Sequence, residues 1–209
     1  MDHFQYRNGE LHAEGVALSS LAAAYGTPFY CYSSATLVRH YTVFADALAG
    51  VDADIYFAVK ANGNIGVVAT LAALGAGADI VSIGELKRAQ AAGIAPSKVV
   101  FSGVGKSAGE LRQALEAGVH QINVESLPEL QALSEVATAM GVAAPVAVRV
   151  NPNVDAKTHQ KITTGLSENK FGIAWEQAES VFAAAAAMPG IDVVGVAVHI
   201  GSQLTDLAP

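Results

Sequence analysis

The sequence predicts an α/β fold: a parallel (β/α)8 barrel of which about six βα units are present. Short β-branched runs alternate with longer Ala- and Leu-rich segments of helical period, the pattern of a parallel sheet covered by helices. The expected strand ends recur one βα unit apart: Lys60 to Ser82 is 22 residues, Ser82 to Ser102 is 20, and Ser102 to Asn123 is 21. Three helices run into glycine-bearing turns, at Gly75-Ala-Gly77, Gly93 and Gly118, where glycine can take positive φ at no steric cost.

Residues 1–33 form a separate N-terminal segment, in which Thr27–Tyr32 reads as a strand outside the barrel ahead of a helix beginning near Ser34. Residues 34–209 then form the partial barrel. Its strands are expected near Asp54–Val59, Ala78–Ser82, Lys98–Ser102, Gln121–Val124, Pro145–Val150 and Val193–His199. The helices are expected near Ile65–Leu74, Gly84–Ala92, Ser107–Ala117, Ser126–Met140 and Trp175–Ala187. Asn151 to Ala174 is too long for an ordinary βα connection, and long loops on the catalytic side of a barrel are usually functional. Six strands cannot close an eight-stranded barrel, and the sequence stops in a loop after the last one, so a truncated chain with an open edge is expected.

Composition excludes several classes. Lys and Arg number 12 against 19 Asp and Glu, a formal charge of −7 with no basic cluster, which argues against a nucleic-acid partner. Cys31 is the one cysteine and cannot form an intrachain disulfide. The polar N-terminus lacks the features of a signal peptide, and the most apolar stretch, Val181 to Met188, is too short to span a bilayer. A cytoplasmic protein without membrane association or a metal site is expected.

Side chains at the C-terminal ends of barrel strands converge on one mouth. Here these are Lys60, Asp79 with Ser82, Ser102, Asn123 with Glu125, Arg149 with Asn151, and His199 with Ser202. Lys60 follows the apolar run Ile-Tyr-Phe-Ala-Val. A desolvated amine there would attack a carbonyl, whereas a lysine snorkelling to solvent is the alternative. His199 could stack on a planar ring, shuttle a proton, or be a hydrogen-bonded core histidine. Gly201-Ser202 offers N–H groups and a hydroxyl suited to a phosphate. Asp79 and Arg149 carry charges that are costly at buried strand ends unless paired: Asp79 opposite Lys60 would favour the lysine's charged form, Arg149 could pair with a carboxylate of substrate or protein, and a purely structural ion pair is the alternative for both. Glu125 reads either as a carboxylate favoured by the dipole of the following helix, the preferred role, or as a site residue.

Six segments occur in order: Phe57-Ala-Val-Lys-Ala-Asn62, Gly75-Ala-Gly-Ala-Asp-Ile-Val-Ser-Ile-Gly-Glu-Leu86, Ile122-Asn-Val-Glu-Ser126, Arg149-Val-Asn-Pro-Asn-Val-Asp155, Thr164-Gly-Leu-Ser-Glu-Asn-Lys-Phe-Gly172 and His199-Ile-Gly-Ser-Gln203. Together they resemble the N-terminal part of the diaminopimelate decarboxylases, over about Thr27 to Gln203. These are fold-type III pyridoxal-phosphate (PLP) enzymes with an alanine-racemase-like barrel. The resemblance implies that Lys60 holds the cofactor as a Schiff base, His199 stacks on its ring and Ser202 helps bind its phosphate. Asp79 and Arg149 would line the same pocket, with the loop around Thr164 and Asn169–Gly172 over the mouth.

The implied reaction is decarboxylation of meso-diaminopimelate to L-lysine and carbon dioxide, the last step of lysine biosynthesis, in a homodimer. The resemblance also implies that the N-terminal strand belongs to a β-domain formed mostly by later sequence. A glycine-rich phosphate loop, an acidic partner for the pyridine nitrogen, substrate-binding arginines and a Cys-Glu-Ser-Gly segment would come from that same later sequence. The 209 residues alone are therefore expected to be inactive. Two alternatives stand beside this reading: a related decarboxylase acting on ornithine, arginine or carboxynorspermidine, and a non-catalytic PLP-binding barrel protein.

Overall fold

In the computed structural model, residues 3–154, 171–202 and 204 are described. The chain opens with a small antiparallel sheet of β1 (Phe4–Arg7), β2 (Glu10–Ala13) and β3 (Val16–Ala17), followed by α1 (Leu18–Tyr25). Tight turns make this meander possible: Asn8, Gly9 and Glu14 all take positive φ. Glu14 ties it to the next helix, α2 (Ser34–Ala47), because its Oε1 accepts hydrogen bonds from the Ser33 hydroxyl at 2.7 Å and the Ala35 amide at 3.0 Å. Thr27–Tyr32 is not a strand. The segment runs without ladder partners, and its alternating aromatics, Tyr30 and Tyr32, stack on each other at 6.4 Å rather than facing a sheet.

The main body is a parallel sheet in the order β10-β8-β7-β6-β5-β4, with short β9 added on β8. Its strands are β4 (Tyr56–Ala58), β5 (Gly77–Ile80), β6 (Val99–Phe101), β7 (Gln121–Val124), β8 (Ala144–Asn151), β9 (Ile173–Ala174) and β10 (Ile191–Ala197). The helices α3 (Ile65–Ala72), α4 (Ile83–Ala91), α5 (Ala108–Ala117), α6 (Leu127–Met140) and α7 (Ala178–Ala187) alternate with them. The six expected units are present, and most strands are shorter at their C-terminal ends than expected. Lys60 lies on a 3-10 turn, Val59–Ala61, rather than on the strand itself. The expected long connection partly dissolves: Asn151 ends β8 and Ile173–Ala174 forms β9, while residues 155–170, with Thr164, lie outside the described residues.

One face of each strand is buried under helices. Ile80, Phe101, Ile122, Val124, Val146 and Val148 point to this side and pack with Leu111, Leu130 and Leu133 in a single core. The other face is concave and carries polar side chains. Three consecutive helices start with the same device, a serine cap with glutamate three positions on. Ser82, Ser107 and Ser126 accept from the amides of Glu85, Glu110 and Glu129, and each glutamate reaches back to the backbone of the entering strand or loop. Asn64 caps α3 in the same sense. Gly75, Gly93 and Gly118 do take positive φ after their helices. No helix among the described residues is long and apolar enough to cross a membrane.

Two glycines give opposite expectations. A Cβ on Gly77 would lie 2.5 Å from the Tyr56 ring and 2.6 Å from the Lys98 carbonyl oxygen, whereas one on Gly109, inside α5, meets nothing within 4 Å. Gly77→Ala is expected to destabilise the fold by about 1–3 kcal/mol through overpacking, and Gly109→Ala to stabilise it by about 0.5–1 kcal/mol. Urea unfolding of the two variants against the parent checks both signs.

Candidate active site

The concave face and the loops beyond it enclose an open cavity of about 610 Å3. Register explains which residues line it. Ala58 pairs with Asp79, Asp79 with Val100, Asn123 with Ala147, and Arg149 with Ala197, so alternate positions of neighbouring strands share the inner side. Lys60, Asp79, Ser102, Asn123, Arg149 and His199 all reach the cavity. Ser82 and Asn151 do not: Ser82 caps α4, and Asn151 holds the backbone of Asn153 and Phe171. Ser202 is exposed and is not among the lining residues.

Lys60 is exposed to the cavity and solvent rather than buried, because the 3-10 turn lifts it past the end of β4. Asp79 accepts a 2.5 Å hydrogen bond from Ser102, whose Oγ in turn accepts from Asn123 Nδ2 at 3.0 Å. Burial pushes the Asp79 carboxyl above the usual carboxylate range; the Ser102 bond and the positive charges of Lys60, His199 and Arg149 oppose the shift without cancelling it. His199 moves the other way. Partial desolvation at the rim, reinforced by the Arg149 and Lys60 charges, holds its imidazole below the ordinary histidine value and therefore neutral at neutral pH.

Glu125 departs from its expected role. It does not act as a free carboxylate at a helix N-terminus; its Oε1 accepts from Arg149 Nη1 at 2.8 Å, with side-chain exposures of 2% and 13%. The helix-facing position is already taken by Glu129, whose Oε2 accepts the Glu125 amide. Arg149 also lies 5.2 Å over the ring of Phe171, another cavity residue.

Lys106 and Glu129 do not line the cavity but brace its rim, a role the sequence did not make legible. The Lys106 ammonium, in the loop after β6, bonds Glu129 Oε1 at 2.6 Å, Gly103 O at 2.5 Å and Asn123 O at 2.8 Å, with side-chain exposures of 1% and 9% for the ion pair. Ser126-x-x-Glu129 signals a capping box, but no local pattern pairs it with a lysine 23 positions earlier. Among the described residues no group of three or more His, Cys, Asp or Glu is arranged to hold a metal ion.

An amine, an imidazole, a guanidinium and a carboxylate thus converge at the strand ends of a parallel, barrel-type sheet, the place where barrel proteins bind small molecules. The family model described as "Pyridoxal-dependent decarboxylase, pyridoxal binding domain" matches residues 34–209, and the chain belongs to that family. It is 59% identical to a diaminopimelate decarboxylase of Pseudomonas aeruginosa and 55% identical to one of Vibrio cholerae, in each case over 100% of this chain and 50% of the relative. The solved diaminopimelate decarboxylase of Helicobacter pylori complexed with L-lysine superposes with a TM-score of 0.88 at 44% identity, over 92% of this chain and 49% of that one. The M. jannaschii enzyme in complex with L-lysine gives 0.87 at 38%, over 97% and 49%. The chain thus spans about half the length of the curated relatives it matches.

The family's cofactor is pyridoxal phosphate, and the cavity's donor set fits it: an accessible amine for an aldehyde, a neutral imidazole for a planar ring and a guanidinium for an anionic oxygen.

Two outcomes are expected. Lys106→Met leaves Glu129 buried without its cation and is expected to cost about 3–5 kcal/mol in chemical denaturation. For His199, the folded-state pKa lies below the unfolded value of 6.5, so its contribution to stability is intact above pH 6.5 and is lost as pH falls, because the unfolded chain takes up the proton more readily. The denaturation midpoint of the parent is therefore expected to drop more than that of His199→Gln between pH 7.5 and pH 5.5.

Proposed function

We propose that this chain is the cofactor-carrying part of a diaminopimelate decarboxylase, which removes carbon dioxide from meso-diaminopimelate to leave L-lysine. The observation that carries the reading is the convergence of Lys60, Asp79, Arg149 and His199 on one cavity. The identity to diaminopimelate decarboxylases over the whole chain supports the choice of substrate, as do the lysine complexes of two structural relatives. In this reading the protein is a cytoplasmic homodimer, and residues 1–33 belong to a second domain.

When bound, pyridoxal phosphate supplies an electron sink for the pair released as the Cα–carboxylate bond breaks. The chain's residues bind and orient. With the cofactor bound, the Lys60 amine, exposed to the cavity, would be the group that holds it at the aldehyde. His199, its pKa lowered beside Arg149 and Lys60, would offer its ring to the planar cofactor without adding a third positive charge. Arg149 would hold an anionic oxygen, and Ser202, exposed and outside the cavity lining, would have to turn inward to help hold the phosphate. Asp79 offsets part of the positive charge around Lys60 while Ser102 and Asn123 fix its carboxyl. Loss of carbon dioxide requires a proton in its place on Cα, and the Lys60 amine, at the cavity wall, would be the residue positioned to supply it.

The test is direct. The purified protein is mixed with pyridoxal phosphate, reduced with borohydride and mapped by mass spectrometry. Label on Lys60 that disappears in Lys60→Ala is expected; a folded protein with no label, or with label retained in the variant, sinks the assignment.

A further inference from the structure

We infer that Glu125 is a positioning residue that holds the Arg149 guanidinium in place for an anionic oxygen in the cavity. The inference rests on the cofactor-binding reading of the cavity. Glu125 lies in the turn between β7 and α6, and its side chain is 2% exposed. Its backbone is fixed from behind: the amide donates to Glu129 Oε2 at 3.1 Å, and Glu129 Oε1 is locked on Lys106 at 2.6 Å. Lys106 in turn holds the carbonyls of Gly103 and Asn123, so the loop after β6 is tied to β7 by one buried ammonium. The carboxylate that emerges from this anchor spends one oxygen on Arg149 and leaves the other, Oε2, buried with no partner.

A buried carboxylate oxygen without a hydrogen bond is costly, and a structural ion pair would be expected to engage both oxygens in the forked geometry that arginine offers. Here the pairing is single. It uses one of the five N–H donors of the guanidinium and leaves others for a ligand in the cavity that Arg149 lines. Phe171, 5.2 Å from the guanidinium carbon, covers the same group and restricts its swing. The arrangement fixes a cation at the wall opposite open space, which suits recognition of an anionic oxygen: a phenolate or phosphate of the cofactor, or a carboxylate of the amino acid.

Wild-type protein, Glu125→Gln, Arg149→Gln and the double variant are titrated with pyridoxal phosphate by visible absorbance. The loaded proteins are then titrated with L-lysine, and near-UV circular dichroism reports folding. Glu125→Gln is expected to weaken one of the two affinities by about tenfold, the scale of a lost charge-assisted contact. The double variant is expected to be no weaker than Arg149→Gln alone. A loss on pyridoxal phosphate assigns the oxygen to the cofactor; a loss on lysine alone assigns it to the amino-acid carboxylate. Affinities for both probes within about twofold of wild type, or losses that add independently to those of Arg149→Gln, overturn the inference. If Glu125→Gln does not fold, Glu125→Asp, which keeps the charge and withdraws it by one methylene, takes its place; unchanged affinity in folded Glu125→Asp overturns it equally. Failure of the wild type to bind pyridoxal phosphate is a separate result: the reading of the cavity then fails first and the role of Glu125 falls with it.

Discussion

Parallel pairing in a fixed register governs the arrangement of every polar group at the mouth. Because β4 to β10 run in one direction, each strand delivers its last inward residues to the same rim, and the helix that follows must start there. The burial of Ile80, Phe101, Ile122 and Val148 under the helices fixes which alternate positions face inward, since a slip of one residue would expose them and bury Asp79 and Arg149 instead. Apolar packing on one side thus decides the chemistry on the other.

The rim is made rigid by charge in a place where charge is expensive. Lys106 is almost fully enclosed, yet its ammonium meets two carbonyls and a carboxylate, which satisfies its three N–H donors. From there the contacts continue through Glu129 to the Glu125 backbone, and from the Glu125 carboxylate to Arg149. A second, shorter chain runs from Asn123 through Ser102 to Asp79. Both meet at Asn123, whose carbonyl binds Lys106 and whose side chain binds Ser102. The groups that face the cavity are therefore held by neighbours on adjacent strands rather than by their own strand alone.

Much of this was legible in the sequence because it is local. The repeat of about 21 residues, the β-branched runs and the glycine turns reported six units in the right order, and β7 had the bounds expected for it. Lys60, Asp79, Arg149 and His199 stood out because they interrupt or follow apolar runs at strand ends, and the cavity collects all four. What failed was of two kinds. Thr27–Tyr32 has strand-like composition, but no strand among the described residues pairs with it, and strand formation needs a partner edge. The roles of Lys106, Glu129 and Glu125 depend on contacts between residues 23 to 24 positions apart, set by the register of adjacent strands and invisible to any local pattern. The N-terminal meander was missed because its strands are two to four residues long and only Ala13 among their residues is buried.

The order of strands across the sheet is the order of strands along the chain, with β9 the lone side branch. Each new unit consequently finds its partner already made, one βα unit behind it, and from β4 to β8 loop closure spans little more than the intervening helix. A polypeptide with that property can add structure in the direction in which it is synthesised, each strand docking as it leaves the ribosome instead of waiting for a distant segment. The side chains of the mouth would then be assembled in sequence as well, Lys60 and Asp79 first, His199 last.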